Sequence, residues 1–516
     1  MKKLLILLIF FLHKEVIYSQ DVDFKWGEPF DYTRKSAFPE YLGKNKNNLY
    51  ILKGRDNEKV QDMYLEIINL SNMELVKRID FSKEIFPITH NNRIEKVLYD
   101  SFNNRIIIIS DFTIEKETTV IISAIDVEGQ LLFENKKIGS YNTKNIRENA
   151  GYVFIPNNDY TRYLFFLDSP VEKKGYEKFQ STILNNDFDI VKTNEIQLPY
   201  LNKYFKLIQF IYDNSLNIYL LGVKLGEDEL DTSKNILICY DNNTSSSSEI
   251  NLPMPGRNVI GHKMFIDKDG YMVFSGFFKN SDLEGIPAIF YTKFNPKTGE
   301  IVRKAKYTFS TDNIVGDAMK VFDFNMKLPE KFVLRDIINT HSDTLVFLAE
   351  RDETIIFRGQ GGFVMKNIYE HIICIKVDLN GKIINTSLIP KKQVLQLDES
   401  KYMEKRNTKL RQVLSYYLLE RENNIQLVYN DNIKNMEIKK VDNPKATKFD
   451  SETALVLAEI NNSGKVSKNI VLPDSKEMYV ISTQATTKID SNTYLVFGIS
   501  RTYGKQKIGI LRITGN

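Results

Sequence analysis

The sequence predicts an all-β fold built from repeated strand units. Short apolar and aromatic runs recur along the 516-residue chain, and each follows a polar turn rich in Asn, Asp and Gly, as at Asn47, Asn103 and Asp267. No segment shows the apolar period of a convincing amphipathic helix, since the best candidate, 399–414, is short and heavily charged. Strands and turns that alternate at near-regular intervals are typical of a β repeat protein.

The spacing of these runs indicates about eight units. One residue near the start of the most apolar strand marks each unit, and the first four steps between markers are 56, 57, 55 and 54 residues. The next three steps are 73, 81 and 69 residues, so the later units are longer. The eight markers are Leu49, Arg105, Arg162, Asn217, Tyr271, Thr344, Ile425 and Tyr494.

Each unit has room for four strands, and four antiparallel strands repeated along a chain build the blades of a β-propeller. We therefore predict a single β-propeller of about eight four-stranded blades over 21–516. Seven blades with an additional hairpin, or two β domains, would produce nearly the same spacing. The tight turns between strands contain pairs that supply the positive φ angles of hairpins, among them Glu128-Gly129, Asn380-Gly381 and Ser463-Gly464.

The two ends of the sequence predict how the ring closes. The eighth unit stops after its third strand, 507–513. The alternating segment 23–30 precedes the first strand of the first unit. If this segment pairs with the last unit, it supplies the missing strand and removes an exposed edge.

The first twenty residues have the order of an export signal. Two lysines follow the initiating Met, then an apolar run spans 4–12, and a more polar stretch ends at Ser19 and Gln20. This run is far shorter than the roughly 20 residues of a membrane-spanning helix. No cysteine lies near the expected cut. We expect 1–20 to be a signal peptide, and the protein to be periplasmic or extracellular, without a membrane span and not a lipoprotein.

The charge balance argues against a nucleic-acid partner. The chain has 70 Lys and Arg against 66 Asp and Glu, a net charge of +4. Its basic pairs are scattered and separated by acidic residues. A nucleic-acid surface would instead concentrate positive charge on one face.

Cysteine and histidine positions predict neither a disulfide nor a metal site. Cys239 and Cys374 lie in apolar runs of different units, where cysteine behaves as a small hydrophobic residue, so we expect two free thiols. The segment 267–270 lacks the further ligands of a calcium loop and is interpreted as a turn. No cofactor is predicted, and none of the histidines after the signal has a ligand partner at a recognised spacing: His90, His262, His341 and His371.

In architecture the sequence resembles β-propellers in general, and with its export signal it resembles the propeller proteins of bacterial envelopes. The resemblance covers nearly the whole mature chain. The Gly-His and Trp-Asp signature of WD40 repeats is missing, since Trp26 is the only tryptophan, and so is the Asp-box of sialidases. No family's functional residues can therefore be carried over.

The longer units place extra residues around 352–370, 394–415 and 431–452, which we expect to be loops. Long loops on a rigid β scaffold usually carry binding sites. Polar residues in and beside them are predicted to converge at one rim of the propeller, although ordinary strand-end and turn chemistry would also account for them. These candidate binding residues are Glu350, Arg351, Tyr369, His371, Lys392, Asn430 and Asp431.

Two functions follow from this sequence. The first is an exported binding or scaffold protein of the bacterial cell envelope that holds a protein or glycan partner on one propeller face. The alternative is a propeller-fold hydrolase or lyase that acts on polysaccharide or peptide, with acidic residues near the channel mouth. We prefer the first, because the chain offers no Gly-x-Ser-x-Gly, no His-Glu-x-x-His and no phosphate-binding glycine loop.

Overall fold

The computed structural model of the protein shows eight antiparallel sheets of a β-propeller. The predicted signal peptide lies outside the residues that the structure describes. Described are residues 21–31, 39–54, 63–81, 93–142, 151–168, 175–225, 234–252, 259–279, 287–308, 332–339, 344–359, 362–380, 382–398, 411–419, 424–436, 444–447, 449, 452–472, 479–500 and 505–514.

The first seven blades each consist of four strands that are consecutive in the chain. Blade 1 contains β3 (Glu40–Lys44), β4 (Asn48–Gly54), β5 (Met63–Asn69) and β6 (Leu75–Asp80). Blade 2 contains β7 (Arg93–Asp100), β8 (Arg105–Ile114), β9 (Glu117–Asp126) and β10 (Leu131–Asn142). Blade 3 contains β11 (Gly151–Pro156), β12 (Arg162–Asp168), β13 (Tyr176–Asn185) and β14 (Ile190–Leu201). Blade 4 contains β15 (Phe205–Tyr212), β16 (Ile218–Lys224), β17 (Lys234–Asp241) and β18 (Ser246–Asn251).

The later blades follow the same order, and their longest strands are in blade 6. Blade 5 contains β19 (Val259–Ile266), β20 (Met272–Lys279), β21 (Pro287–Phe294) and β22 (Ile301–Thr308). Blade 6 contains β23 (Phe332–Asn339), β24 (Thr344–Gly359), β25 (Gly362–Asp378) and β26 (Ile383–Asp398). Blade 7 contains β27 (Tyr417–Leu419), β28 (Ile425–Asn432), β29 (Thr453–Ile460) and β30 (Val466–Leu472).

Blade 8 joins the two ends of the chain, as predicted. Its strands are β31 (Tyr479–Ile481), β32 (Thr487–Asp490), β33 (Thr493–Ser500) and β34 (Lys505–Thr514), with β1 (Asp21–Trp26) and β2 (Phe30–Asp31). Both N-terminal strands pair antiparallel with β34, and Phe24 lies opposite Leu511. The N-terminal strand therefore covers the edge that the last blade would otherwise expose.

Eight apolar clusters, one between each pair of neighbouring blades, hold the ring together. Ile106 and Ile108 pack towards blade 1, whereas Ile107 and Ile109 on the same strand pack towards blade 3. Strands buried on both faces appear in the sequence as uninterrupted apolar runs. The cluster between blades 8 and 1 closes the ring, so the eight-blade prediction is confirmed and the alternatives of seven blades or two domains are wrong.

The antiparallel order of the strands divides the connections between two faces. Turns that join the first to the second strand, and the third to the fourth, leave the sheet at one end, which we call the turn face. Connections between the second and third strands, and from blade to blade, leave at the other end, the loop face. The longest connections, such as those that follow Thr308, Asp398 and Asn432, all belong to the loop face.

On the turn face, Asn and Asp side chains close the turns locally, as their frequency predicts. The Asp126 carboxylate accepts backbone N–H groups of Glu128 and Gln130 at 3.0 and 2.7 Å, with Gly129 at φ +87°. Asp267 does the same for the backbone N–H groups of Asp269 and Tyr271. The interpretation of 267–270 as a turn is therefore confirmed.

The structure describes most of the first expected insertion and parts of the other two. Residues 352–359 and 362–370, expected to be part of a loop, are paired strands, because β24 and β25 continue beyond the point where β23 ends. The second insertion contains the end of β26 and a 3-10 segment, Arg411–Val413, and the third contains another, Ile433–Met436. A further 3-10 segment spans Asn202–Tyr204, and no helix among the described residues is long and apolar enough to cross a membrane.

Both cysteines are buried free thiols, in agreement with the prediction. Burial raises the pKa of each thiol to about 12, and the thiol form is far less reactive than the thiolate. We expect neither Cys239 nor Cys374 to react with a colorimetric disulfide reagent at pH 8 in the native protein. Both should react after unfolding in guanidinium chloride, and reaction of either one in the native state would contradict this assignment.

Candidate functional site: a charged cluster between blades 6 and 7

The seven predicted site residues all lie at the loop-face end of blades 6 and 7. Glu350 and Arg351 are on β24, where it leaves its pairing with β23. Tyr369 and His371 are on β25, and Lys392 is opposite Glu370 on β26. Asn430 and Asp431 end the apolar part of β28. Five of the seven belong to a buried network or to a half-buried group of charges, and Tyr369 and His371 lie on the strand beside them.

Glu350 is the centre of the buried network, with a side chain that is fully excluded from solvent. Its Oε1 lies 2.6 Å from Nζ of Lys391, which is also fully buried. Its Oε2 accepts a hydrogen bond from the Ser415 hydroxyl at 2.5 Å and lies 3.1 Å from Nε of Arg335. Arg335 also reaches Asp352, with 2.8 Å between Nη2 and Oδ2. Two cations and a hydroxyl donor therefore compensate the Glu350 carboxylate, as a charge removed from water requires.

Gln393 and Asn430 connect this network to the backbone of blades 7 and 8. The Gln393 side chain accepts the backbone N–H of Ser415 at 2.7 Å and donates to the Asn430 carbonyl at 2.8 Å. The Asn430 amide donates to the carbonyls of Val413 and Ile481 at 2.9 and 2.7 Å. Ser415 has φ +67°, a strained conformation for a residue with a side chain. These hydrogen bonds fix it there.

Asp431 and Lys468 form a second buried ion pair beside the first. Asp431 Oδ2 lies 3.5 Å from Lys468 Nζ, and Oδ1 accepts the Asn435 amide at 2.7 Å. Burial raises the pKa of Asp431, and the Lys468 ammonium partly offsets this effect. The Tyr429 ring is 5.8 Å from Nζ of Lys391 and 5.9 Å from Nζ of Lys468, so both ammonium groups approach the same aromatic side chain.

Arg351, Glu370 and Lys392 form the half-buried part of the site. Arg351 Nη1 lies 2.9 Å from Glu370 Oε2, and Lys392 pairs with the other oxygen of Glu370. The side chains of Arg351 and Lys392 are 27% and 29% exposed. Arg351 also contacts Glu353, with 3.3 Å between Nη2 and Oε2. These side chains present both signs of charge to solvent.

His371 and Tyr369 have mainly structural positions. His371 is 6% exposed and occupies a β-bulge with φ +32°, which separates the propeller part of β25 from its extension. Tyr369 packs with Leu395, Leu414 and Phe449 under that extension.

Sequence reasoning missed most of the residues that complete the network. Their common signal is a polar side chain within or next to an apolar strand, but the sequence does not pair them. Among the described residues, no group of three or more His, Cys, Asp or Glu is arranged to hold a metal ion. The missed residues are Arg335, Asp352, Ser415 and Lys468, whereas Glu370, Lys391 and Gln393 directly adjoin predicted site residues.

Comparison with known proteins assigns neither a family nor a function. No protein-family model and no curated protein sequence matches the chain. Among solved structures, it is similar to the polysaccharide lyase Uly1 (8% identity, TM-score 0.37, covering 95% of this chain and 99% of that one). It is also similar to the Nup133 β-propeller domain of Vanderwaltozyma polyspora (11%, 0.33, 81% and 100%). A third is the Penicillium chrysogenum α-L-arabinanase (10%, 0.31, 63% and 91%). Similarities this weak assign no role.

Proposed function

We propose that the protein is an exported binding protein that holds an extended segment of a protein partner on the loop face of blade 6. The observation that carries the proposal is the three-stranded extension of that blade, formed by 352–359, 362–370 and 391–398. These residues continue β24, β25 and β26 past the pairing of β23, whose last partner is Arg351.

The extension is anchored on one side and open on the other. On the β26 side, the Thr447 backbone N–H donates to the Lys392 carbonyl at 2.8 Å, and its carbonyl accepts the Val394 N–H at 3.1 Å. On the opposite side, residues 352–359 of β24 pair with β25 only, and no other strand of the described part of the chain pairs with their outer edge. An open strand edge has backbone donors and acceptors that can pair with an added strand.

Exposed apolar side chains accompany this open edge. Ile356 and Phe357 are 51% and 55% exposed near the tip of the hairpin. Arg351 and Lys392, with Glu370 between them, lie at the base. An apolar tip beside fixed charges of both signs fits a peptide segment better than a glycan, because strand addition uses backbone hydrogen bonds that a sugar cannot supply in register.

We expect the double substitution I356K/F357K to reduce partner recovery at least tenfold, because charge at a strand edge opposes strand addition. The measurement is cross-linking of the tagged protein in its envelope fraction, followed by mass spectrometry of the captured proteins. A matched control is L75K/V76K on the outer strand of blade 1, where the two side chains are 53% and 58% exposed.

The variants separate specific capture from background. A partner that depends on 352–359 is lost in I356K/F357K, is retained in L75K/V76K, and protects these amides from hydrogen exchange in the purified complex. Equal recovery with both variants would contradict the proposal, as would full recovery after deletion of 359–366. Turnover of envelope glycans or peptides by the purified protein would instead establish the hydrolase or lyase alternative.

A further inference from the structure

Three blades have a carboxylate at the same place in their second strand. Two residues before each carboxylate is an apolar side chain that packs against the next blade. Because side chains alternate along a strand, the carboxylate is on the same side of the sheet. It therefore faces the next blade, near the loop face. The carboxylates are Asp111, Asp168 and Glu350, and the apolar residues are Ile109, Phe166 and Leu348.

In two of these blades, basic side chains of the protein pair with the carboxylate. Asp111 Oδ2 lies 3.6 Å from Nη2 of Arg93. Glu350 is paired with Lys391 and Arg335. In blade 3, by contrast, no cation of the described residues pairs with Asp168. Its charged neighbour is a second carboxylate, Glu177.

Glu177 and Asp168 face the same way on adjacent strands. Asp168 is opposite Phe179 in the pairing of β12 with β13. Glu177 is two residues from Phe179, which packs with Phe166 towards blade 4. This diagonal arrangement brings side chains within reach of each other. Opposite Asp168 on the first strand is Gly151, which has no side chain to fill the space beside the carboxylate.

Glu177 is 6% exposed, and its Oε2 is buried without a hydrogen-bond partner. Burial, followed by the charge of Asp168, raises the pKa of Glu177 to about 7, and burial raises that of Asp168 to about 6. A buried carboxylate without a donor is costly unless a proton or a cation compensates it.

We propose that Asp168 and Glu177 bind a hydrated divalent cation, calcium, between blades 3 and 4 at the loop face. Carboxylate oxygens are hard ligands that suit calcium, and waters complete a coordination of six to eight. With only two protein carboxylates, the dissociation constant should be about 0.1–1 mM, the range of weak extracellular calcium modules. The site is distinct from the peptide surface of blade 6.

The test is a calcium titration of the whole protein at pH 8. Calorimetry measures the affinity, and the thermal midpoint of unfolding is measured at each calcium concentration. Terbium luminescence, excited through the exposed Tyr176 next to the site, gives a second readout. We expect calcium to raise the midpoint of the wild type and E177Q to weaken binding at least tenfold. The matched control is E195Q, on the same blade, where the carboxylate is 67% exposed and paired with Lys178.

Two outcomes would overturn the proposal. One is a wild type whose midpoint does not change up to 10 mM calcium while E177Q is more stable than wild type, since the pair then holds only a proton. The other is equal calcium affinity in wild type and E177Q. The double variant K173Q/K174Q tests the lysines of the neighbouring segment, which lies outside the described residues. We expect it to retain calcium binding, and a gain in affinity of tenfold or more would mean that a lysine occupies the site.

Discussion

Replacement of Lys391 by methionine is expected to lower the free energy of unfolding by about 3–5 kcal/mol, the usual cost of removing one partner of a buried ion pair. Lys391 and Glu350 are both fully excluded from solvent. Methionine fills the space of the lysine stem but leaves one side of the Glu350 carboxylate without a cation. Arg335 and Ser415 remain as its partners. Urea unfolding followed by tyrosine fluorescence measures the change.

The control and the double variant separate charge from packing. Lys434 also pairs with a carboxylate, that of Glu452, but its side chain is 59% exposed, so K434M should cost less than about 1 kcal/mol. The double variant E350L/K391M should recover more than half of the loss, because an apolar pair needs no desolvation of charge. If K391M is as harmless as K434M, the buried network does not stabilise the junction of blades 6 and 7.

The second large effect is expected at the closure of the ring. Trp26 on β1 lies against two glycines of blade 8, and a Cβ at Gly498 or Gly509 would be 2.5 or 2.8 Å from the indole ring. Its ring also contacts Phe24 at 4.7 Å and Tyr479 at 5.7 Å between centroids. Replacement of Trp26 by alanine should therefore cost about 3 kcal/mol, the lower end of the range for a large aromatic residue.

Thermal unfolding with light scattering tests this closure. Loss of β1 from β34 exposes a strand edge, and exposed edges promote aggregation, so W26A should scatter light at a lower temperature than the wild type. The matched control is D23A on the same strand, where Asp23 is 65% exposed and its oxygen lies 3.7 Å from Arg512. Its effect should stay below about 1 kcal/mol. Equal unfolding of W26A and D23A would mean that closure does not depend on the indole.

The two proposals depend on different parts of the loop face. The peptide surface uses backbone groups of 352–359, and the calcium site uses carboxylates of blade 3. The buried network below the extension keeps Arg351 and Lys392 in place, since Glu350, Arg335 and Asp352 join the base of the hairpin to blade 7. K391M should therefore impair partner capture and leave calcium affinity unchanged.

The sequence by itself determined the repeat, the number of blades and the closure. These depend on local chemistry: strands buried on both faces leave uninterrupted apolar runs, and Asp or Asn side chains close the turns from within. Ile106–Ile109 and the turn at Asp126 are examples. The paired strands of 352–359 and 362–370 were not predicted, since this segment was expected to be a loop. The extension leaves the propeller, so neither of its faces is buried in a blade interface, and its sequence has no apolar period.

Only the tertiary structure decided which charges meet. Glu350 and Ser415 are far apart in the chain, and Asp168 and Glu177 lie on adjacent strands whose pairing the sequence does not specify. Recognised sequence spacings between ligand residues relate side chains on one strand or one helix. These carboxylates instead come together across strands and blade interfaces. Whether a carboxylate is matched by a cation, as at Asp111, or by a second carboxylate, as at Asp168, depends on the packing of neighbouring strands and blades.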